Sequence, residues 1–227
     1  VKHSKNKNIM PNWCTNRLII KGTKSDILAF VNAGISTILN TKTSFEENKV
    51  THTIGSLADL NVDTFPHFSA WYPMPSVLMD ISKLKNKKFT IPLDKNETAE
   101  LNELCIIARN EVGTDDWYNW ATGHWGVKWD TKPYSVEVKT YGENAVVELG
   151  YETAWCPNDG WLIEVGEKNP QLSFYLDSYE PGCNVEFGAF VEDGEYCECG
   201  VNEEWLESVR WDDDEEEVET DDSCLNV

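Results

Sequence analysis

The densest group of side chains that could bind a ligand lies in the segment WYNWATGHWGVKW, residues 117–129. Tryptophan rings stack on bases, nucleotides and peptide side chains, and a neighbouring cation strengthens such contacts. The alternative is structural, because tryptophans usually bury most of their area and Gly123 and Gly126 allow close packing. The candidate ligand-binding residues are Trp117, Trp120, His124, Trp125, Lys128 and Trp129.

His124 and Cys156 are the candidates for a nucleophile and its base. A cysteine nucleophile needs a neighbouring base, which a histidine supplies if the fold brings the two side chains together. Asp115, Asp116 and Asp130 lie near His124 in the sequence, but in no arrangement known from catalytic sites. Structural roles are the alternative for both residues, and we assign no catalytic residue.

Cys183, Cys197 and Cys199 are the candidates for a zinc site. Structural zinc sites usually combine two ligand pairs, and only the pair Cys197-Glu198-Cys199 is present here. The sequence also lacks the P-loop, the dinucleotide-binding glycine motif, HExxH and GxSxG. We therefore predict neither a metal nor a cofactor, and we favour a binding protein over an enzyme.

Hydrophobic periodicity predicts the elements that carry these residues. A strand over 13–22 is followed by a helix that ends at a C-cap glycine, Gly34, and then by irregular chain to about residue 80. The remaining predictions are helices over 94–112, 156–168 and 203–210, and strands over 134–140, 145–155, 172–178 and 185–191.

In chain order these elements follow the ferredoxin-like split βαβ pattern with one extra strand. We therefore predict an α+β fold with a long insertion, about residues 35–130, between the first helix and the second strand. The domain is expected over residues 10–200, after a basic extension over residues 1–9. An acidic tail follows over residues 201–227 and is expected to be disordered after about residue 211.

The net charge is -21 at pH 7, and much of it lies in the tail. Residues 201–227 contain twelve acidic residues and one basic residue, Arg210, and the preceding domain is acidic as well. Such a surface repels phosphate backbones, so we predict no direct binding to duplex nucleic acid and instead a partner with a basic surface. Solvation is the simpler alternative. The candidate partner-binding residues are Asp212, Asp213, Asp214, Glu215, Glu216 and Glu217.

The compartment is predicted from the absence of export signals. No stretch approaches the roughly 20 apolar residues of a membrane helix, and the lysines of residues 1–9 precede no apolar run. Seven scattered cysteines, an odd number, are typical of reduced thiols rather than a disulfide framework. We therefore expect a cytosolic protein that does not contact a membrane.

Three motifs together resemble a known family. MPNWCTN at residues 10–16, the tryptophan segment at 117–129 and TAWCP at 153–157 are similar to motifs of YubB/Api-type ferredoxin-domain proteins of phages, plasmids and genomic islands. The similarity extends over about residues 10–190 and excludes the acidic tail. It implies a ferredoxin-like domain and a mobile-element origin, and it implies no catalytic residue.

Together these observations predict a non-enzymatic accessory protein of a phage or mobile element that binds a host factor in the bacterial cytosol. In its sharpest form, the hypothesis is an anti-defence inhibitor whose carboxylates mimic nucleic acid. Two alternatives remain open. One is a binding protein for a nucleotide or signalling molecule that uses the tryptophan segment, and the other is a structural virion component.

Overall fold

The fold is built around its first strand, β1 (Trp13–Thr23), in a computed structural model that describes residues 12–40 and 53–214. Cys14, Asn16, Leu18 and Ile20 of this strand are buried, and the residues between them point to the other side of the sheet. This alternation is the normal consequence of the two-residue period of a strand. The chain is therefore a mixed fold of helices and strands, as predicted.

The other elements of the described ranges follow in chain order. None of these helices combines the length and the apolar character that a membrane crossing requires. Short 3₁₀ turns occur at Leu57–Asp59 and Phe68–Ala70. The helices and strands are α1 (Lys24–Asn40), α2 (Ser76–Thr90), α3 (Lys95–Glu111), α4 (Trp117–His124), β2 (Ser135–Tyr141), β3 (Asn144–Ala154), α5 (Asp159–Lys168), β4 (Ser173–Glu180), β5 (Val185–Glu192), β6 (Glu195–Cys199) and α6 (Glu203–Asp214).

The strands form one open sheet in the order β2-β3-β1-β4-β5-β6, with every neighbouring pair antiparallel. α1, α5 and the segment between α1 and β2 pack on one side, which we call the covered face. α6 lies on the opposite side, the open face, where the Arg17 guanidinium is 5.5 Å from the ring centroid of Trp205.

Indole groups hold the segment between α1 and β2 on α1 and α5, and they join two parts of that segment to each other. Each indole N–H donates a hydrogen bond to a main-chain carbonyl, which satisfies two polar groups that would otherwise be buried without a partner. The aromatic rings around them also contact one another. The donor–acceptor pairs are Trp71 to Phe30 at 2.9 Å, Trp125 to Tyr72 at 2.8 Å and Trp161 to Phe68 at 2.7 Å.

The prediction that the first helix ends at Gly34 is wrong, because α1 continues to Asn40. A Cβ atom at Gly34 would lie 2.7 Å from ring atoms of Trp71. The glycine therefore makes room for a neighbouring indole instead of providing a left-handed helix end.

The prediction of irregular chain up to about residue 80 is also wrong, because α2 begins at Ser76 directly after Pro75. Leu78 and Ile81 supply its buried positions, and its last turns are exposed and rich in lysine. That short apolar stripe gives too weak a helical period to recognise from the sequence. No helix is predicted over α4, which the Asp116 carboxylate caps by accepting two backbone N–H bonds.

Two further differences lie near the end of the described chain. Asp193 and Gly194 both have positive φ angles, 53° and 79°, and join β5 to the unpredicted strand β6. An Asp-Gly pair is a hairpin signal that the sequence contained.

α6 extends to Asp214, so residues 211–214, expected to be disordered, are helical. Residues 215–227 lie outside the described ranges.

We expect Trp161→Phe to lower the free energy of unfolding by about 2–4 kcal/mol, because it leaves the Phe68 carbonyl without its donor and opens a cavity. Trp13→Phe is the matched control, since the Trp13 side chain is 42% exposed, and its effect should be about 0.5 kcal/mol or less. Urea denaturation of both variants measures the difference. Equal stabilities would show that the indole bond does not anchor the segment.

Candidate binding site

Two of the six candidate residues in the tryptophan segment belong to the core. Trp120 and Trp125 are only 3% and 6% exposed. The Trp120 ring stacks on His124 with 4.5 Å between centroids and meets Trp125 edge-on at 5.3 Å. The structural alternative accounts for these residues, because they pack α4 against its neighbours and present no ring face to a ligand.

His124 and Cys156 do not form a nucleophile–base pair. His124 Nδ1 is 2.9 Å from the Trp120 carbonyl oxygen, and the Cys156 thiol donates to the Gly126 carbonyl at 3.1 Å. Burial, followed by the negative charge of Asp159, raises the pKa of the Cys156 thiol. An activated cysteine requires the opposite shift, so this thiol is held in its unreactive form.

The outer surface of the tryptophan segment includes Tyr118, Lys128 and Trp129. The Lys128 ammonium is 4.2 Å from the ring centroid of Trp129 and 5.8 Å from that of Tyr118. Trp129 is 41% exposed, and the half-buried Trp117 meets Tyr118 edge-on. A stacking ligand therefore has access to this part of the segment.

Ser69, His67 and Asp130 meet in space, but their bonding order is not that of a serine nucleophile. The Ser69 hydroxyl donates to Asp130 Oδ2, and the Ser69 N–H donates to Oδ1 at 2.9 Å. His67 Nδ1 lies 3.6 Å from the same Oδ2. A catalytic triad needs the hydroxyl on the imidazole and the imidazole on the carboxylate. The cluster instead ties the Phe68–Ala70 turn to the chain before β2.

A cleft beside α1 and the exposed thiols of β6 supply no catalytic or metal-binding set. A cleft of about 670 Å³ lies between α1, residues 55–60 and β2, and Lys24 is the one ionisable residue of its lining. Within the described ranges, no three His, Cys, Asp or Glu side chains converge to hold a metal ion. Cys197 and Cys199 lie exposed on β6.

A groove on the open face is the site that the sequence did not reveal. It has a volume of about 140 Å³ and lies between α6 and the strands β1, β2 and β3. A Cβ atom on Gly150 would meet the Ser135 hydroxyl at 2.4 Å and the Tyr134 ring at 3.0 Å, so only glycine lets these side chains cross β3. The residues that line the groove include Arg17, Tyr134, Glu137, Glu148, Gly150 and Trp205.

Carboxylates dominate the electrostatics around this groove. Glu137 and Glu148 are direct cross-strand partners of β2 and β3 and point to the same side. Arg17 does not neutralise them, because its guanidinium donates twice to Asp177 Oδ2, at 2.6 and 3.2 Å. The strand registers place four more glutamates on the open face: Glu152, Glu186, Glu192 and Glu195.

The position of α6 depends on Asp177. The Asn202 N–H donates to Asp177 Oδ1 at 2.8 Å, just before α6 begins, and Leu206 is fully buried beneath the helix. The acidic residues Asp212–Asp214 form the last turn of α6, whereas Glu215, Glu216 and Glu217 lie outside the described residues. The candidate partner-binding segment therefore begins in the last turn of α6.

Comparisons with known proteins give this chain a structural neighbour. No family model and no curated protein sequence match it. Its structure is similar to the crystal structure of protein api92 from Yersinia pseudotuberculosis, which carries the family description DUF1281. The two chains share 10% identity over 85% of this chain and 99% of the other, with a TM-score of 0.41. This similarity assigns no function to the chain.

We expect Cys156 to react with iodoacetamide at neutral pH more slowly than the exposed Cys197, because its raised pKa lowers the thiolate fraction. Cys14 should react slowest, since burial raises its pKa to about 12. Peptide mapping by mass spectrometry measures the three rates. If Cys156 instead reacts fast, and reacts more slowly in the His124→Gln variant, the hypothesis that His124 activates Cys156 would be supported.

Proposed function

We propose that this chain is a non-enzymatic binding protein whose acidic open face engages a partner with a basic surface. The observation that carries the proposal is the pair Glu137 and Glu148, which face each other across two strands beside an accessible groove. Like charges placed directly opposite each other destabilise a sheet, so their presence favours a role in binding. A long-range acidic field also accelerates encounter with a basic partner.

The biological setting of the proposal comes from the sequence motifs. The resemblance to YubB/Api-type proteins supports an accessory protein of a phage or mobile element, acting on a host factor in the bacterial cytosol. Carboxylates arranged over a sheet face and an adjoining acidic segment would fit a groove that normally holds nucleic acid. We therefore propose an anti-defence inhibitor that mimics nucleic acid and does not itself bind duplex DNA.

We also propose that the fold is a ferredoxin-like split βαβ core extended by two strands. The supporting feature is the order β2-β3-β1-β4 within the sheet. α1 follows β1 and precedes β2, and α5 joins β3 to β4, as that topology requires. β5 and β6 then extend the sheet beyond β4, and the long insertion follows α1.

A second candidate function is the binding of a small aromatic ligand, such as a nucleotide, on the outer tryptophan segment. Lys128 beside the exposed ring of Trp129 supports it, because a cation and a π-face together suit an anionic aromatic ligand. Trp129→Ala discriminates the two functions, since it removes the accessible ring and leaves the open face intact.

We expect the triple variant Glu137→Gln, Glu148→Gln, Glu152→Gln to bind the captured partner about tenfold more weakly at low salt. The control carries the same charge change on α3, as Glu100→Gln, Glu103→Gln, Glu111→Gln, and should bind normally. Pull-down from bacterial lysate, followed by a binding titration at low and high salt, provides the measurement.

Duplex DNA added to the same titration tests the mimicry. A partner whose basic groove holds the acidic face should be released as DNA concentration rises. Equal binding by both triple variants would reject the open face as the contact surface. If the partner stays bound when DNA is added, mimicry of nucleic acid is rejected, but the open face is not rejected as the contact surface.

A further inference from the structure

We infer that the groove on the open face is a pocket for the guanidinium group of one arginine side chain. The inference rests on the proposed function, because it names the partner group that the acidic open face would receive. Four features of the described residues carry it. They are the carboxylate pair of Glu137 and Glu148, the pairing of Arg17 with Asp177, the aromatic walls of the groove and its size.

The carboxylate pair supplies two acceptors without a strong internal cation. Glu148 makes no hydrogen bond or ion pair within the described part of the chain, although it lies directly opposite Glu137. The ion pair that the described residues show at this site joins Lys139 to Glu137, with the ammonium 3.6 Å from Oε2. Both of those side chains are mostly exposed, so their attraction is weak. An incoming cation between the two glutamates relieves a repulsion that the sheet otherwise retains.

Arg17 shapes the groove without competing for these carboxylates. Its guanidinium is held by Asp177 and lies over the Trp205 ring, so its charge is already paired and its position is fixed. The same contacts hold Trp205, and with it α6, at the edge of the groove. The negative charge that Arg17 leaves available therefore lies on the β2–β3 side, with Glu148 and the weakly paired Glu137.

The walls and the size of the groove suit a planar cation. Tyr134, 58% exposed, and Trp205 present aromatic rings at its sides, and such rings attract cations. A volume of about 140 Å³ is well below the roughly 300–1,000 Å³ of pockets that hold whole small molecules. It accommodates the end of one side chain. A guanidinium group is preferred to an ammonium group because it is flat and can donate to both carboxylates at once.

The test uses the full chain and three small probes: N-acetylarginine methylamide, the corresponding lysine compound and the neutral citrulline analogue. Titrations followed by NMR of the indole N–H of Trp205 measure each dissociation constant. We expect saturable binding of the arginine probe, weaker binding of the lysine probe and none of the citrulline probe. Glu148→Gln should weaken the binding of the arginine probe about tenfold. The control Glu103→Gln should leave that affinity unchanged.

Several results would overturn the inference: equal binding of arginine and citrulline, no shift of the Trp205 signal, or an unchanged affinity in Glu148→Gln. Unfolding of Glu148→Gln would not be mistaken for loss of the pocket. Removal of one of two opposed carboxylates should keep or raise the midpoint of thermal unfolding, which can be measured on the same sample. The probe titration contains no partner protein. A wrong pocket assignment is therefore revealed by the probe titration. A wrong proposed function is revealed by the pull-down with the triple variants.

Discussion

The hydrogen bonds from the indoles of Trp71, Trp125 and Trp161 to main-chain carbonyls are the interaction on which the rest of the structure depends. The segment between α1 and β2 contains α2, α3 and α4, whose apolar residues are buried by packing on one another and on the rest of the fold. The indoles of Trp71 and Trp161 join that segment to α1 and α5, and the Trp125 indole joins two parts of the segment to each other. Because all three bonds lie on the covered face, the insertion adds its bulk there and leaves the other side of the sheet accessible.

The open face is organised by a second, smaller interaction. Asp177 accepts from Arg17 with one oxygen and from the Asn202 N–H with the other. This single carboxylate therefore neutralises the central cation of the open face and fixes the start of α6. The groove exists because α6 covers only part of the sheet, and Arg17 does not pair with its glutamates because that arginine is already paired with Asp177.

The contrast between the tryptophan segment and the groove shows what kind of residue carries information about binding here. A dense group of aromatic and cationic residues indicated a ligand site, yet Trp120 and Trp125 serve packing and only the outer rings are accessible. Glu137 and Glu148 occupy ordinary outward positions of two alternating strands. Neither residue is unusual by itself, and their significance lies in being opposite each other.

The sequence by itself determined the strands from β1 to β5 and the helices α3 and α5, because their apolar residues recur at regular strand or helix periods and end at recognisable caps and turns. It also determined that the protein is acidic. Only the tertiary structure decided which tryptophans are buried, since a ring packs or stays exposed according to contacts from distant segments. Gly34 illustrates the same dependence, because its role is set by an indole 37 positions later. The groove was likewise decided by strand register and by the placement of α6, which bring together residues from four separate elements.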